Sequence, residues 1–210
     1  MLITINENTS AEIVEKKSKF IANLFYVQSK QEAEEIIKEI RKKYYDARHN
    51  CYAYSVIENN TVLNRASDDG EPSGTAGMPM LNILIKKKLV NVLVVVTRYF
   101  GGILLGTGGL VKAYSDVTIS AIEKASFAKL DKGLEIEVIL DYPDFENFQY
   151  YMQKNSLKIT NAKYNEKIIC RIELTNEEKN NLISIIENNT LKIQKYTILQ
   201  EKIIKKNIEK

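Results

Sequence analysis

The chain has 210 residues, 44% hydrophobic and 27% charged, with a formal net charge of +3. That is the composition of a folded globular protein and excludes a disordered or fibrous one. The longest apolar run, Val92–Val96, is far short of the roughly 20 residues of a membrane helix, and MLITINENTS has no basic region leading into an apolar core, so neither a span nor a secretory signal is expected.

In chain order, Lys19–Val27 is rich in β-formers and reads as a strand. Ser29 with Glu32 forms a capping-box pattern that opens a helix over 30–43, with Ala33, Ile36, Ile37 and Ile40 on its buried face. Segments 52–57 and 61–64 flank Glu58-Asn59-Asn60 as a hairpin. A loop over Arg65–Gly77 precedes a helix over Met78–Lys88. Val92–Phe100 is apolar enough for a central strand covered on both faces. A second glycine loop, Gly101–Gly109, feeds a helix ending near Ala125, with Leu110, Ala113, Tyr114, Val117, Ala121 and Ile122 in one stripe.

Ala128–Gly133 reads as a domain boundary, separating domains over 1–130 and 131–210. Beyond it lie a strand over 134–140, a helix begun by Pro143, strands over 157–164 and 167–174, and a helix with a Thr175/Glu178 capping box. A last strand spans 191–199, and the Lys-rich tail is expected to fray. That order is βαββαβ, the ferredoxin-like plan, within an α+β fold class.

Charge and glycine point to the first part of the chain. Residues 1–130 hold 17 Lys/Arg against 14 Asp/Glu, whereas 131–210 hold 13 against 13, so the whole positive excess lies before the boundary. Eight of the nine glycines fall between Gly70 and Gly109, where backbone must bend sharply or approach a ligand.

Two motifs there can carry chemistry. The loop RASDDGEPSGTAG places Asp68, Asp69 and Glu71 within four residues. Such carboxylates either hold Mg²⁺ through oxygen ligands, with Mg²⁺ the one cofactor to consider, or cap and turn the loop. Ser73 and Thr75 are hydroxyl donors with the same two readings. The second motif, RYFGGILLGTGGLVKAY, ends a strand in a glycine loop that opens a helix, and helix N-termini attract phosphate or carboxylate. Lys112 and Arg98 are candidate counter-charges there and Tyr99 a candidate stacking group; the alternatives are that the glycines let strand and helix pack tightly and that Tyr99 is a core or cross-strand partner. The motif is neither a Walker loop nor G-x-G-x-x-G. His49 and Asn50 read as ligand-facing polar groups, with a His49–Cys51 nucleophilic pair as the minor alternative. One histidine excludes a multi-histidine metal site, and Cys51 and Cys170 read as reduced thiols of a cytoplasmic protein.

Taken together and in this order, HNCYAY, SDDGEPSGTAG, VVVTRYFGG and LGTGGLVKAYS closely resemble the Impact/YigZ family over about residues 15–125. The resemblance implies an N-terminal domain similar to elongation factor G domain IV, with a ribosomal-protein-like βαβ fold, and a ferredoxin-like C-terminal domain similar to its domain V. It also implies a link to translation. The family pattern matches His49 and Asn50; Asp68, Asp69, Glu71, Ser73, Gly74 and Thr75; and Arg98, Tyr99, Gly101, Gly102, Gly106, Gly108, Gly109 and Lys112. Met78 departs from it, standing where Arg or Lys is expected. The leading functional expectation is a non-catalytic binder of RNA or the ribosome that contacts phosphate through the glycine loop. The alternatives are an Mg²⁺-assisted enzyme on a phosphorylated small molecule or nucleotide, and a module for a protein partner in translational or stress regulation.

Overall fold

A computed structural model describes residues 2–59 and 61–207. It is a mixed α+β structure in two compact units, Met1–Lys129 and Leu130–Lys206. The first unit is built on one sheet. Its strands, β2 (Thr9–Glu15), β3 (Ser18–Tyr26), β4 (His49–Glu58), β5 (Thr61–Ser67) and β6 (Val92–Tyr99), lie in the order β2-β3-β6-β4-β5. Every pairing among them is antiparallel. A short β1 (Leu2–Ile5) precedes them, and Ile3 forms a parallel bridge to Leu89.

Strand β6 shows why the sheet is central. Alternation sends Val92, Val94 and Val96 into one apolar cluster and Leu93 and Val95 into another on the opposite face. Helices α2 (Gly77–Lys86) and α3 (Gly106–Glu123) close the first face, with Met80, Leu84, Tyr114 and Val117 buried against Phe20 and Leu24. Helix α1 (Lys30–Lys43) closes the second, burying Ala33, Ile37 and Ile40. Ser29 caps α1 by accepting the Glu32 N–H, but Glu32 reaches back to the Gln28 N–H rather than to Ser29, so only half of the expected box forms.

The second unit follows βαββαβ with β7 (Phe127–Leu140), α4 (Tyr142–Lys154), β8 (Ile159–Tyr164), β9 (Ile168–Thr175), α5 (Asn176–Glu187) and β10 (Lys195–Asn207). Strand β9 lies antiparallel between β7 and β8, and β10 pairs with β7. Phe148, Met152 and Leu182 pack on Val138, Cys170 and Ile172. The Thr175–Glu178 capping box is present in full. Among the described residues, no helix is long and apolar enough to cross a membrane.

Residues 128–133 belong to the long strand β7, within which the two units divide after Lys129, and Gly133 is there because a Cβ would overlap Ile204 and the Leu174 carbonyl. The Lys-rich tail does not fray before Asn207: it continues β10, with Lys202 on Glu173 and Lys206 on Glu178. Residues 2–15 form two strands that the sequence reading left blank. Asn60, in the expected hairpin turn, lies outside the described residues.

Candidate functional site

The acidic loop between β5 and α2 is fastened from within. Asp68 accepts N–H groups from Gly74 (2.8 Å), Ala76 (3.0 Å) and Gly77 (2.8 Å), and so caps the start of α2. Burial pushes its carboxyl up, yet the three N–H bonds outweigh that and hold it below the ordinary aspartate range. Asp69 takes up a left-handed backbone (φ 43), which turns the chain. Its carboxylate accepts the Asn50 N–H at 2.7 Å and pairs with Arg41 at 2.6 Å, and its carbonyl lies 2.8 Å from His49 Nδ1. Thr75 folds back on the Pro72 carbonyl through both its N–H (3.1 Å) and its hydroxyl (2.6 Å). Ser73 is exposed at the loop tip.

This fastening drives Glu71 inward, leaving its side chain only 2% exposed. Arg98 Nη1 donates to both its oxygens, at 2.7 and 3.0 Å, and the Tyr114 hydroxyl donates at 2.8 Å. His49 Nε2 lies 4.0 Å away. Antiparallel pairing of β4 with β6 sets His49 opposite Arg98, which is how residues far apart in the chain meet. Cys51, two residues on and facing the same side, lies 2.9 Å from the Asp68 carbonyl and 3.3 Å from the Tyr114 hydroxyl. Burial pushes its thiol up to about 12 and likewise raises Tyr114, so both stay protonated at neutral pH. On the opposite sheet face, the Asn50 side-chain oxygen Oδ1 accepts the Thr97 hydroxyl at 2.7 Å.

These partners correct several expectations. Asp68, Asp69 and Glu71 point to three different sets of partners, and no group of His, Cys, Asp or Glu among the described residues could hold a metal. The nitrogens of His49 face Asp69 and Glu71 rather than Cys51, so the geometry offers no activated thiol. Arg98 is buried in an ion pair instead of standing at the surface, and the Tyr99 hydroxyl donates to Asp46 at 2.9 Å.

The second glycine loop has the opposite character. Phe100, Ile103 and Leu104 stand exposed, Leu104 by 83%. Gly101 packs where a Cβ would overlap the Lys17 carbonyl, and its N–H donates to the Ser18 hydroxyl at 3.1 Å. Gly102 and Gly106 take left-handed φ values of 82 and 73. Helix α3 then starts at Gly106 with no side-chain cap. Nothing lies within 4 Å of the Cβ positions of Gly106 and Gly108, whereas a Cβ at Gly109 would press on Leu105. Lys112 is exposed and bridges Asp116 at 2.6 Å, a bond that raises its pKa. Sequence reading missed Lys16 and Lys17, which form the exposed β2–β3 turn with φ values of 46 and 64. Two lysines between Glu15 and Ser18 were the available signal, legible only once β2 is recognised.

A sheet domain covered by helices on both faces, with an acidic capping loop and an uncapped glycine-rich helix start, is followed by a βαββαβ unit. The family model of the Impact N-terminal domain matches residues 16–122 of this chain. The chain belongs to the IMPACT family. It is 37% identical to the IMPACT family member YvyE of Bacillus subtilis (strain 168) over 177 residues, 84% of this chain and 81% of that one. It is 34% identical to the family member YigZ of Escherichia coli (strain K12) over 160 residues, 76% and 78% of the two chains. A crystal structure of a hypothetical protein superposes with a TM-score of 0.64 at 28% identity, covering 95% of this chain and 97% of that one.

Proposed function

We propose that this protein is a cytoplasmic regulator of translation that acts by binding RNA or the ribosome without catalysis. Phosphate is held at the start of α3. The observation that carries this reading is the uncapped first turn of α3, whose backbone is open to approach at Gly106 and Gly108. The exposed Lys16–Lys17 turn lies against Gly101, and Lys112 stands one turn into the helix. Arg98 is not a surface counter-charge in this reading; it holds the acidic loop in place.

The non-catalytic part is supported by the protonated Cys51 and by carboxylates already engaged by backbone N–H groups and Arg98. The translational part is supported by membership of the IMPACT family. To the same proposal belong the two-domain division and the likeness of the domains to elongation factor G domains IV and V. One observation favours a second reading, a protein-docking module: the exposed side chains of the glycine loop are Phe100, Ile103 and Leu104, apolar groups that contribute nothing to phosphate binding.

Co-sedimentation with ribosomes and binding of single-stranded RNA, each at low and high salt, test the proposal. Binding that weakens steeply with salt and weakens further in Lys112→Ala is expected. Absence of binding at low salt, with nuclease-resistant capture of one stoichiometric protein, would replace it by the docking reading.

A further inference from the structure

Arg98, at the end of β6, is 6% exposed and makes both of its hydrogen bonds from a single nitrogen, Nη1, to the two oxygens of Glu71. A guanidinium ordinarily meets a carboxylate with two nitrogens in parallel. Using only one leaves the Nε edge idle, and Nε is buried with no acceptor among the described residues. Native structures seldom leave a buried donor unanswered, because it has lost its water without gaining a partner.

The surroundings say from which side a partner can come. The guanidinium lies 5.4 Å from the Phe20 ring centroid and 5.7 Å from that of Phe100. Both rings favour a cation but offer the N–H no acceptor lone pair. Phe20 is fully buried, whereas Phe100 is half-exposed and opens the glycine loop. Two residues on is Gly102, left-handed and with nothing within 4 Å of its Cβ position. Of the two rings against the guanidinium, Phe100 is therefore the one that can give way, with open space at Gly102 beyond it and Gly101 packed on Lys17. Glu71 need not leave, since Tyr114 and Nη1 both hold it.

We propose that the Nε edge of Arg98 is an anion-binding site that takes one phosphate group, admitted past Phe100 from the Gly102 side. An arginine is suited to this because its planar fork is permanently charged, weakly hydrated and matched to oxyanion geometry. The site adds a second, inner contact to the one at the start of α3. Its assignment to phosphate rests on the reading under Proposed function; the idle Nε does not.

The test is a titration of the full chain with inorganic phosphate at constant ionic strength, with chloride as control, read at the arginine Nε–Hε resonances. The Arg98 signal is assigned by its loss in Arg98→Lys, which keeps a cation facing Glu71 but has no Nε edge. Expected are a saturable shift of the Arg98 Hε signal with phosphate and none with chloride. Phosphate should also raise the melting temperature of wild type more than that of Arg98→Lys, which retains only the contact at the start of α3. An Arg98 Hε signal that ignores phosphate, or contacts only a trapped water, would overturn the proposal, and so would an equal thermal shift in Arg98→Lys. If that variant does not fold, Phe100→Ala assigns the signal instead, because opening the wall must speed exchange of the Arg98 Hε with solvent. RNA binding that leaves the Hε unmoved would reject this site and spare the proposed function. A phosphate response without RNA binding would do the reverse.

Discussion

At the scale of single residues, the weight of the first unit falls on one buried charge pair. Glu71 and Arg98 meet in the core, and a buried pair that loses one member leaves the other charge uncompensated, at a cost of about 3–5 kcal/mol. Glu71→Leu is thus expected to lower the unfolding free energy by that order in urea titrations, and adding Arg98→Met should recover much of it. A loss below about 1 kcal/mol for the single variant would show that the pair is not what fastens the loop. Cys51 makes a second prediction. Its thiol titrates near 12 in the fold against an ordinary 9.0, so the folded state holds the proton more tightly. The associated stability is complete below pH 9 and drains as pH rises toward 12. At pH 8 Cys51 should react with a disulfide reagent no faster than the protein unfolds; rapid native reaction would contradict its burial. Neither residue could be assigned these roles from sequence. Glu71 and Arg98 are 27 positions apart, and only the β4–β6 register brings His49, Arg98 and the loop together.

The elements divide into those whose residues announce them and those defined by their neighbours. Val92–Val96 could only be a covered strand, and the helical stripes of α1 and α3 lie on the buried faces expected of them. Strand β2 escaped because it is an edge strand whose Glu12, Val14 and Glu15 mix charge with exposure. The first half of β7 escaped because Gly133 looks like punctuation, although it is a close-packing point under Ile204. The glycine loop was legible as a strand-to-helix turn, but not the apolar tip it exposes. Within this loop the glycines are not equivalent. Gly101→Ala would collide with the Lys17 backbone and should lower the melting temperature. Gly108 lies inside α3 with open space at its Cβ, so Gly108→Ala is expected to stabilise the protein by about 0.5–1 kcal/mol. If phosphate approaches the α3 backbone, the same substitution must weaken RNA binding. Binding undiminished in this stabilised variant would remove the α3 start from the site.

For the whole molecule, a net charge of +3 is small for a binder of nucleic acid, so any such binding must come from where the charge is placed. The exposed face of the second unit is laced with internal pairs, among them Arg171–Glu137 and Lys202–Glu173. Lys167 and Lys206 are paired in the same way, with Asp141 and Glu178. The Lys16–Lys17 turn and Lys112 are left as the basic groups of the first unit beside an open helix start. The salt dependence of RNA binding measures this directly, since each phosphate neutralised adds about −0.7 to the slope of log K against log salt for a single strand. The measurement that bears most closely on this reading compares that slope in wild type and in the variant Lys16→Ala/Lys17→Ala/Lys112→Ala. A slope shallower by about two units, together with weaker binding at low salt, is the predicted result. An unchanged slope, or no binding by the wild type, would contradict it.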